Sequence, residues 1–415
     1  VTEAPAPSSD AHLAVRKDIN HLTREEVYEL RRAMERFQAD TSVDGYQATV
    51  EYHGLPARCP FPEATNRFAC CIHGMATFPH WHRLFVTQVE DALIRRGSPI
   101  GVPYWDWTQP MAHLPGLADN ATYRDPISGD SRHNPFHDVE VAFENGRTER
   151  HPDSRLFEQP LFGKHTRLFD SIVYAFEQED FCDFEVQFEM THNNIHAWIG
   201  GGEKYSMSSL HYTAFDPIFY LRHSNTDRLW AIWQALQIRR NRPYKAHCAW
   251  SEERQPLKPF AFSSPLNNNE KTYENSVPTN VYDYEGVLGY TYDDLNFGGM
   301  DLGQLEEYIQ RQRQRDRTFA GFFLSHIGTS ANVEIIIDHG TLHTSVGTFA
   351  VLGGEKEMKW GFDRLYKYEI TDELRQLNLR ADDVFSISVK VTDVDGSELS
   401  SELIPSAAII FERSH

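Results

Sequence analysis

The chain has 415 residues, enough for two to three domains with sizeable cores at about 150 residues per domain. Forty lysines and arginines against sixty aspartates and glutamates give a net charge of −20, which argues against nucleic acid or an anionic membrane as the main partner. The composition is globular, with 40% hydrophobic and 24% charged residues, and no apolar run approaches the ~20 residues that span a bilayer, so membrane, fibrous and disordered classes drop out.

In chain order, residues 1–12 read as a Pro/Ser linker. Val1 stands in place of an initiator Met and no apolar signal segment follows, so the chain is expected to be cut from something longer. Thr23-Arg24-Glu25-Glu26 is a capping box for a helix with Val27, Leu30, Met34 and Phe37 on one face. Residues 13–300 read as a mainly α-helical domain: Trp81, Phe85, Val89 and Leu93 form one helical stripe, while Phe219, Leu229, Trp230 and Trp233 lie in another helix. The stretches 108–138 and 251–281 carry loop composition. Residues 301–415 change character after a charged helix from Leu302 to Arg317. The short runs Phe319–Leu324, Val333–Ile337, Thr348–Leu352, Leu365–Ile370 and Ala407–Phe411, with period-2 alternation at Phe385, Ile387, Val389 and Val391, predict a C-terminal antiparallel β-sandwich.

Twenty histidines and five cysteines are the unusual counts. His192-Asn193-Asn194-Ile195-His196 puts two imidazoles at i and i+4 on one helical face, a metal-chelating spacing. Asp216-Pro217 reads as a helix start, an N-cap acid with proline in the first turn, and places His223 in the second turn of a facing helix. In the earlier cluster Pro79 opens a helix that carries His82, with His73 and His53 preceding it. His80 and His211 compete for these places and spacing excludes neither, although on a helix His80 points about 200° away from His82.

Three-histidine sites without carboxylate or thiolate leave copper and zinc. Two of them in an antiparallel four-helix bundle make a dinuclear centre with open positions, and six neutral ligands favour two coppers. Paired Cu(I) ions can give one electron apiece to dioxygen and hold it as peroxide bridging two Cu(II), while the protein decides what else reaches them.

At these motifs the sequence resembles the molluscan haemocyanins. Cys70-Cys71-Ile72-His73-Gly74-Met75-Ala76-Thr77-Phe78-Pro79-His80-Trp81-His82-Arg83 is similar to their copper-A signature. His192-x3-His196 followed by Phe215-Asp216-Pro217-Ile218-Phe219-Tyr220-Leu221-Arg222-His223 is similar to the copper-B signature shared with tyrosinases. Pro103-Tyr104-Trp105-Asp106-Trp107 and Phe349-Ala350-Val351-Leu352-Gly353-Gly354-Glu355 extend the resemblance over nearly the whole chain. It implies His53, His73 and His82 as ligands of one copper and His192, His196 and His223 as ligands of the other. It also implies one functional unit of a longer tandem protein secreted into haemolymph, its partners being other units of the same subunit and other subunits of a large oligomer.

An odd cysteine count leaves at least one outside intramolecular disulfides, and adjacent Cys70 and Cys71 are poorly placed to bridge each other. The resemblance implies Cys59–Cys70 and Cys182–Cys248 disulfides, with Cys71 joined by a thioether to the ring of His73. Two disulfides imply an oxidising compartment. Asn120-Ala121-Thr122 is a glycosylation sequon.

Six histidines suit a carrier and a phenol oxidase alike. In the resembled family the β-domain covers the copper site and inserts a leucine near it; Leu352 is the best match here. By the same resemblance Phe219, one turn before His223, packs against ligand rings and limits access. The expected function is reversible dioxygen binding and transport by a protein that is not an enzyme. The alternative is a tyrosinase- or catechol-oxidase-like activity that stays latent until the β-domain is displaced. A metal-free storage protein is a third reading, against which the six histidines speak.

Overall fold

The structure is a computed structural model that describes residues 13–56, 70–157, 166–246, 256–260, 262–263, 271–272, 276–324, 328–353, 364–380, 383–400 and 406–412. The expected linker, Cys59, Cys248 and the second half of the Gly353-Gly354 pair lie outside these residues.

Helix α1 (Arg24–Ala39) starts at Thr23, whose hydroxyl accepts the Glu26 N–H at 3.2 Å while the Glu26 carboxylate accepts the Thr23 N–H at 2.9 Å. Leu30, Met34 and Phe37 are buried and Val27 half-buried, so the expected face is the packed one. After the short α2 (Tyr46–Val50), α3 (Phe78–Arg95) carries Pro79 in its first turn, where the missing N–H has no helical partner to lose. The helical part continues with α4 (Arg167–Glu177), α5 (Phe181–Gly200) and α6 (Ile218–Arg239), and α7 (Leu302–Arg313) leads to the sheets. Helices α3, α5 and α6 bury residues on every side rather than along one stripe, as befits elements at the centre of a domain.

Strand β1 (Ala14–Arg16) pairs in parallel with β2 (Tyr290–Tyr292) and so ties the two ends of the helical part together. The stretch 108–138 is not all loop: Thr122–Arg124 pairs antiparallel with Ser131–His133, and Gly116–Asp119 forms a helical turn. Elements of three or four residues are too short to show a period in the sequence.

From Arg317 onward the chain builds two antiparallel sheets. One has the order β5 (Leu342–Val351), β4 (Ala331–His339), β7 (Ser386–Asp393), β8 (Glu398–Leu399); the other has the order β6 (Arg364–Glu369), β3 (Arg317–Leu324), β9 (Ser406–Glu412). The expected Asp395-Gly396 turn joins β7 to β8, with Gly396 at φ 87°, where a side chain would be strained. Phe322, Val333, Ile335, Phe349 and Tyr366 form the core between the sheets.

A separate core fills the helical part and takes in Ala350 and Leu352 from the end of β5. The sandwich lies against α5, where Asn194 accepts the Ala350 N–H at 2.6 Å and Trp198 donates to Asn332 at 3.3 Å. Gly353 must be glycine because a Cβ there would fall 2.0 Å from the Thr329 carbonyl oxygen. Among the described residues no helix is long and apolar enough to cross a membrane.

Candidate metal centre

The six expected histidines converge. Ligand atoms of His53, His73 and His82 lie within 4.8 Å of one another, and so do those of His192, His196 and His223. All six side chains are buried. The triads face each other, with the His82 and His223 rings stacked at 4.6 Å and 7°. His53 stands just past α2 in a turn closed by its own N–H on the Val50 carbonyl, His73 in the segment before α3, and His82 on α3. The other triad places His192 and His196 on α5 and His223 on α6.

Three of the rings are oriented by backbone carbonyls, and the His192 Nδ1 lies 3.0 Å from the Asn193 side-chain oxygen. The Nδ1 atoms of His53, His82 and His196 lie 3.2, 2.9 and 3.0 Å from the carbonyl oxygens of Leu210, Phe78 and Met207. A carbonyl can only accept, so each Nδ1 carries the hydrogen and each Nε2 keeps a lone pair. The Nε2 atoms of His53 and His82 are buried with no hydrogen-bond partner, a state that a metal ion would relieve. Burial, the largest cause, drives all six imidazoles below their usual pKa, His73 to about 3, with the Arg222 charge adding to the effect. Neutral imidazole is the ligating form. The donor set therefore fits copper or zinc, and its lack of carboxylates argues against harder ions.

Of the competitors, His80 is turned away and packs on Trp230 and Tyr282 at 4.7 and 4.8 Å, while His211 is half-buried outside both triads. Among the described residues a third group, Glu149, His151 and Glu203, is solvent-exposed and contains two carboxylates. Asp216 sits one residue before the N-cap of α6, Pro217, rather than at it, and its carboxylate still accepts the first-turn N–H of Ile218 at 3.0 Å. Both its oxygens are also held by Arg150 at 2.6 and 2.8 Å.

Phe219 touches both triads, its ring 5.0 Å from His53 and 4.2 Å from His223. Phe78 does the same from the opposite chain segment, 4.5 Å from His82 and 4.7 Å from His192, a role the sequence reading missed although Phe78 stands at i−4 to a ligand. Also missed is Arg222, whose Nη2 lies 2.6 and 2.9 Å from the Nε2 atoms of His196 and His223. A basic residue directly before His223 in a wholly buried helix was the available signal. Leu352 is buried in the helical core. Cys70 and Cys182 are disulfide-bonded, and the Cys71 sulfur is buried and outside any disulfide. Asn120 is exposed, its amide donating to Gly116 at 2.8 Å.

Two facing all-histidine triads in a helical core, abutted by a β-sandwich, define a dinuclear metal-binding class of protein. Two family descriptions match: "Common central domain of tyrosinase" over residues 43–236 and "Haemocyanin beta-sandwich" over residues 312–413. "Hemocyanin 2" of Megathura crenulata is 72% identical over 411 residues, covering 99% of this chain and 12% of the relative. "Hemocyanin type 2 unit e" of Rapana venosa is 46% identical over 96% of this chain and 97% of the relative. The solved structure of a functional unit from octopus hemocyanin superposes with a TM-score of 0.87 at 45% identity, over 96% of this chain and all of that one. The chain belongs to the molluscan haemocyanin family.

Proposed function

We propose that each triad holds one copper ion and that the chain is a functional unit that takes up and releases dioxygen rather than turning over a phenol. The observation that carries this reading is the pair of facing, buried, all-histidine triads behind a docked β-sandwich. Bound copper would supply the electrons for reversible dioxygen uptake. The chain's own residues do the rest: backbone carbonyls orient the imidazoles of His53, His82 and His196, burial keeps all six neutral, and Phe78 and Phe219 fill the space around the triads.

Leu352 acts as the shield against bulky phenols, supported by its burial in the helical core beside the Asn194–Ala350 hydrogen bond. On this reading residues 1–12 are an inter-unit linker, 13–300 the dicopper domain and 301–415 the cover. The pairings Cys59–Cys70 and Cys182–Cys248, the Cys71–His73 thioether, glycosylation at Asn120 and secretion into haemolymph belong to the same proposal. So does tandem assembly with other units and subunits, which is supported by the chain's spanning only 12% of the Megathura relative.

Copper-loaded protein should switch reversibly between an aerated, coloured form and an anaerobic, colourless one, with little steady oxidation of catechol. Leu352→Ala should raise catechol oxidation several-fold. Irreversible bleaching with steady turnover in the unaltered chain would favour the latent-oxidase alternative, and an unchanged rate in the variant would remove the shield.

A further inference from the structure

Arg222 is a charge for which the paired triads give no reason. Its side chain is completely buried on α6 next to His223. Its Nε and Nη1 have no hydrogen-bond partner, and among the described residues no carboxylate pairs with it. The nearest polar atoms are metal-ligating ones: Nη2 points at the Nε2 lone pairs of both His196 and His223. The ring of Phe219 lies 5.8 Å from the guanidinium carbon.

A guanidinium only donates, and it stays protonated in proteins. A metal ion would sit about 2 Å from the same Nε2 atoms, inside the space that the Nη2 group occupies. Guanidinium and metal therefore compete for the same two lone pairs. Among the described residues the Nε2 atoms of His53 and His82 have no hydrogen-bond partner, and the Arg222 hydrogen bonds go to His196 and His223.

We propose that Arg222 sets the order of metal loading, so that copper enters the His53–His73–His82 triad first and enters the second triad only by displacing the guanidinium. This rests on the dicopper reading. The displaced charge stays on the same helix turn, and a unit charge about 5 Å from the incoming ion, at an effective dielectric of 20, weakens binding by about a hundredfold or more. At limiting copper the chain then accumulates with one ion, in a state that cannot use two metals to hold dioxygen.

The test is an anaerobic titration of the metal-free full chain with Cu(I) against a colorimetric Cu(I) chelator, with circular dichroism to check the fold. The unaltered chain should bind two ions in steps separated by about a hundredfold. Arg222→Gln and Arg222→Met should each strengthen the second step more than the first and narrow the gap between them to about tenfold. In a His73→Ala background, adding Arg222→Gln should tighten the single remaining ion. Two ions bound in one unresolved step, or an unchanged gap in folded Arg222 variants, overturns the loading order and leaves the dicopper reading standing. No copper bound by any of these proteins overturns both.

Discussion

The His53–His73–His82 triad is gathered from three separate places in the chain, whereas His192, His196 and His223 come from two packed helices. The first depends on the turns that carry His53 and His73, and among the described residues the Nε2 atoms of His53 and His82 have no hydrogen-bond partner. The second takes His192 and His196 from one helical repeat and His223 from the helix packed against it, and accepts a guanidinium. Chemically equivalent ligand sets can thus differ in what holds them and in how readily a cation enters.

The sharpest way to break this comparison is to remove one ligand at a time. His73→Ala and His223→Ala should each leave one copper per chain, held by the untouched triad, as measured by metal analysis after dialysis. Loss of both ions from either variant would mean that the triads do not bind independently.

The next largest effect concerns what joins the triads. Arg83 follows His82 on α3, and Asp227 lies one turn after His223 on α6. The two side chains are ion-paired in the core, and Asp227 also meets Arg16 at 2.8 Å and the Tyr290 and Tyr292 hydroxyls. Burial pushes the Asp227 carboxyl up, but the Arg83 and Arg16 charges together hold it below its usual pKa. Asp227→Asn leaves the buried Arg83 guanidinium without its carboxylate, while Arg16 keeps Glu90 at 2.7 Å, and should cost about 3–5 kcal/mol in denaturant unfolding. A group with a depressed folded pKa stabilises the fold above its unfolded value and loses that effect as pH falls through the folded value. The variant should therefore converge on the unaltered chain at acid pH, and curves that stay parallel would remove the link.

A smaller difference is covalent. If Cys71 is joined to His73, only the first triad has a ligand ring fixed by a bond. Forming that bond removes two hydrogens, an oxidation for which dioxygen is the available oxidant. Reduced, metal-free protein should then take up alkylating agent at four cysteines rather than five. Cys71→Ala should weaken the first copper by about 10- to 100-fold, the usual cost of losing a ligand's orienting partner, and leave the second unchanged.

How much of this the sequence disclosed follows the same division. The i, i+4 pair on α5 was readable because helical spacing alone brings His192 and His196 together, and the start signal at Asp216-Pro217 put His223 on a helix that could face them. His53 was not, since nothing local links a turn after a five-residue helix to a histidine twenty positions later; family resemblance supplied it. The β-strands were legible where they ran six residues or more, and the hairpin at Thr122–Arg124 was not. Arg222, Asn194 and Glu189 were missed for one reason: each is polar in a helix buried on all sides, where periodicity says only that the helix is central.

Glu189 shows what such a residue does, and it gives the smallest expected effect. From α5 it accepts the N–H of Gly74, next to His73, at 2.7 Å, and it pairs with Arg364 of the sandwich at 2.7 Å, so one carboxyl joins the first triad to the covering domain. Glu185 lies against the same guanidinium. Two buried carboxyls sharing one cation cannot both ionise cheaply, and burial pushes Glu189 up to about 8. A carboxyl with a raised folded pKa binds more protons folded than unfolded between the two values, so its contribution to stability falls as pH rises from about 4.5 to about 8. Glu189→Gln imitates the protonated form at every pH. The unaltered chain should lose about 1–2 kcal/mol relative to the variant between pH 6 and 8, read as diverging melting temperatures, while the two should differ by a constant amount below pH 4. If the curves stay parallel up to pH 9, Glu189 titrates as it does in the unfolded chain, and the domain junction holds its charge at neutral pH without a proton.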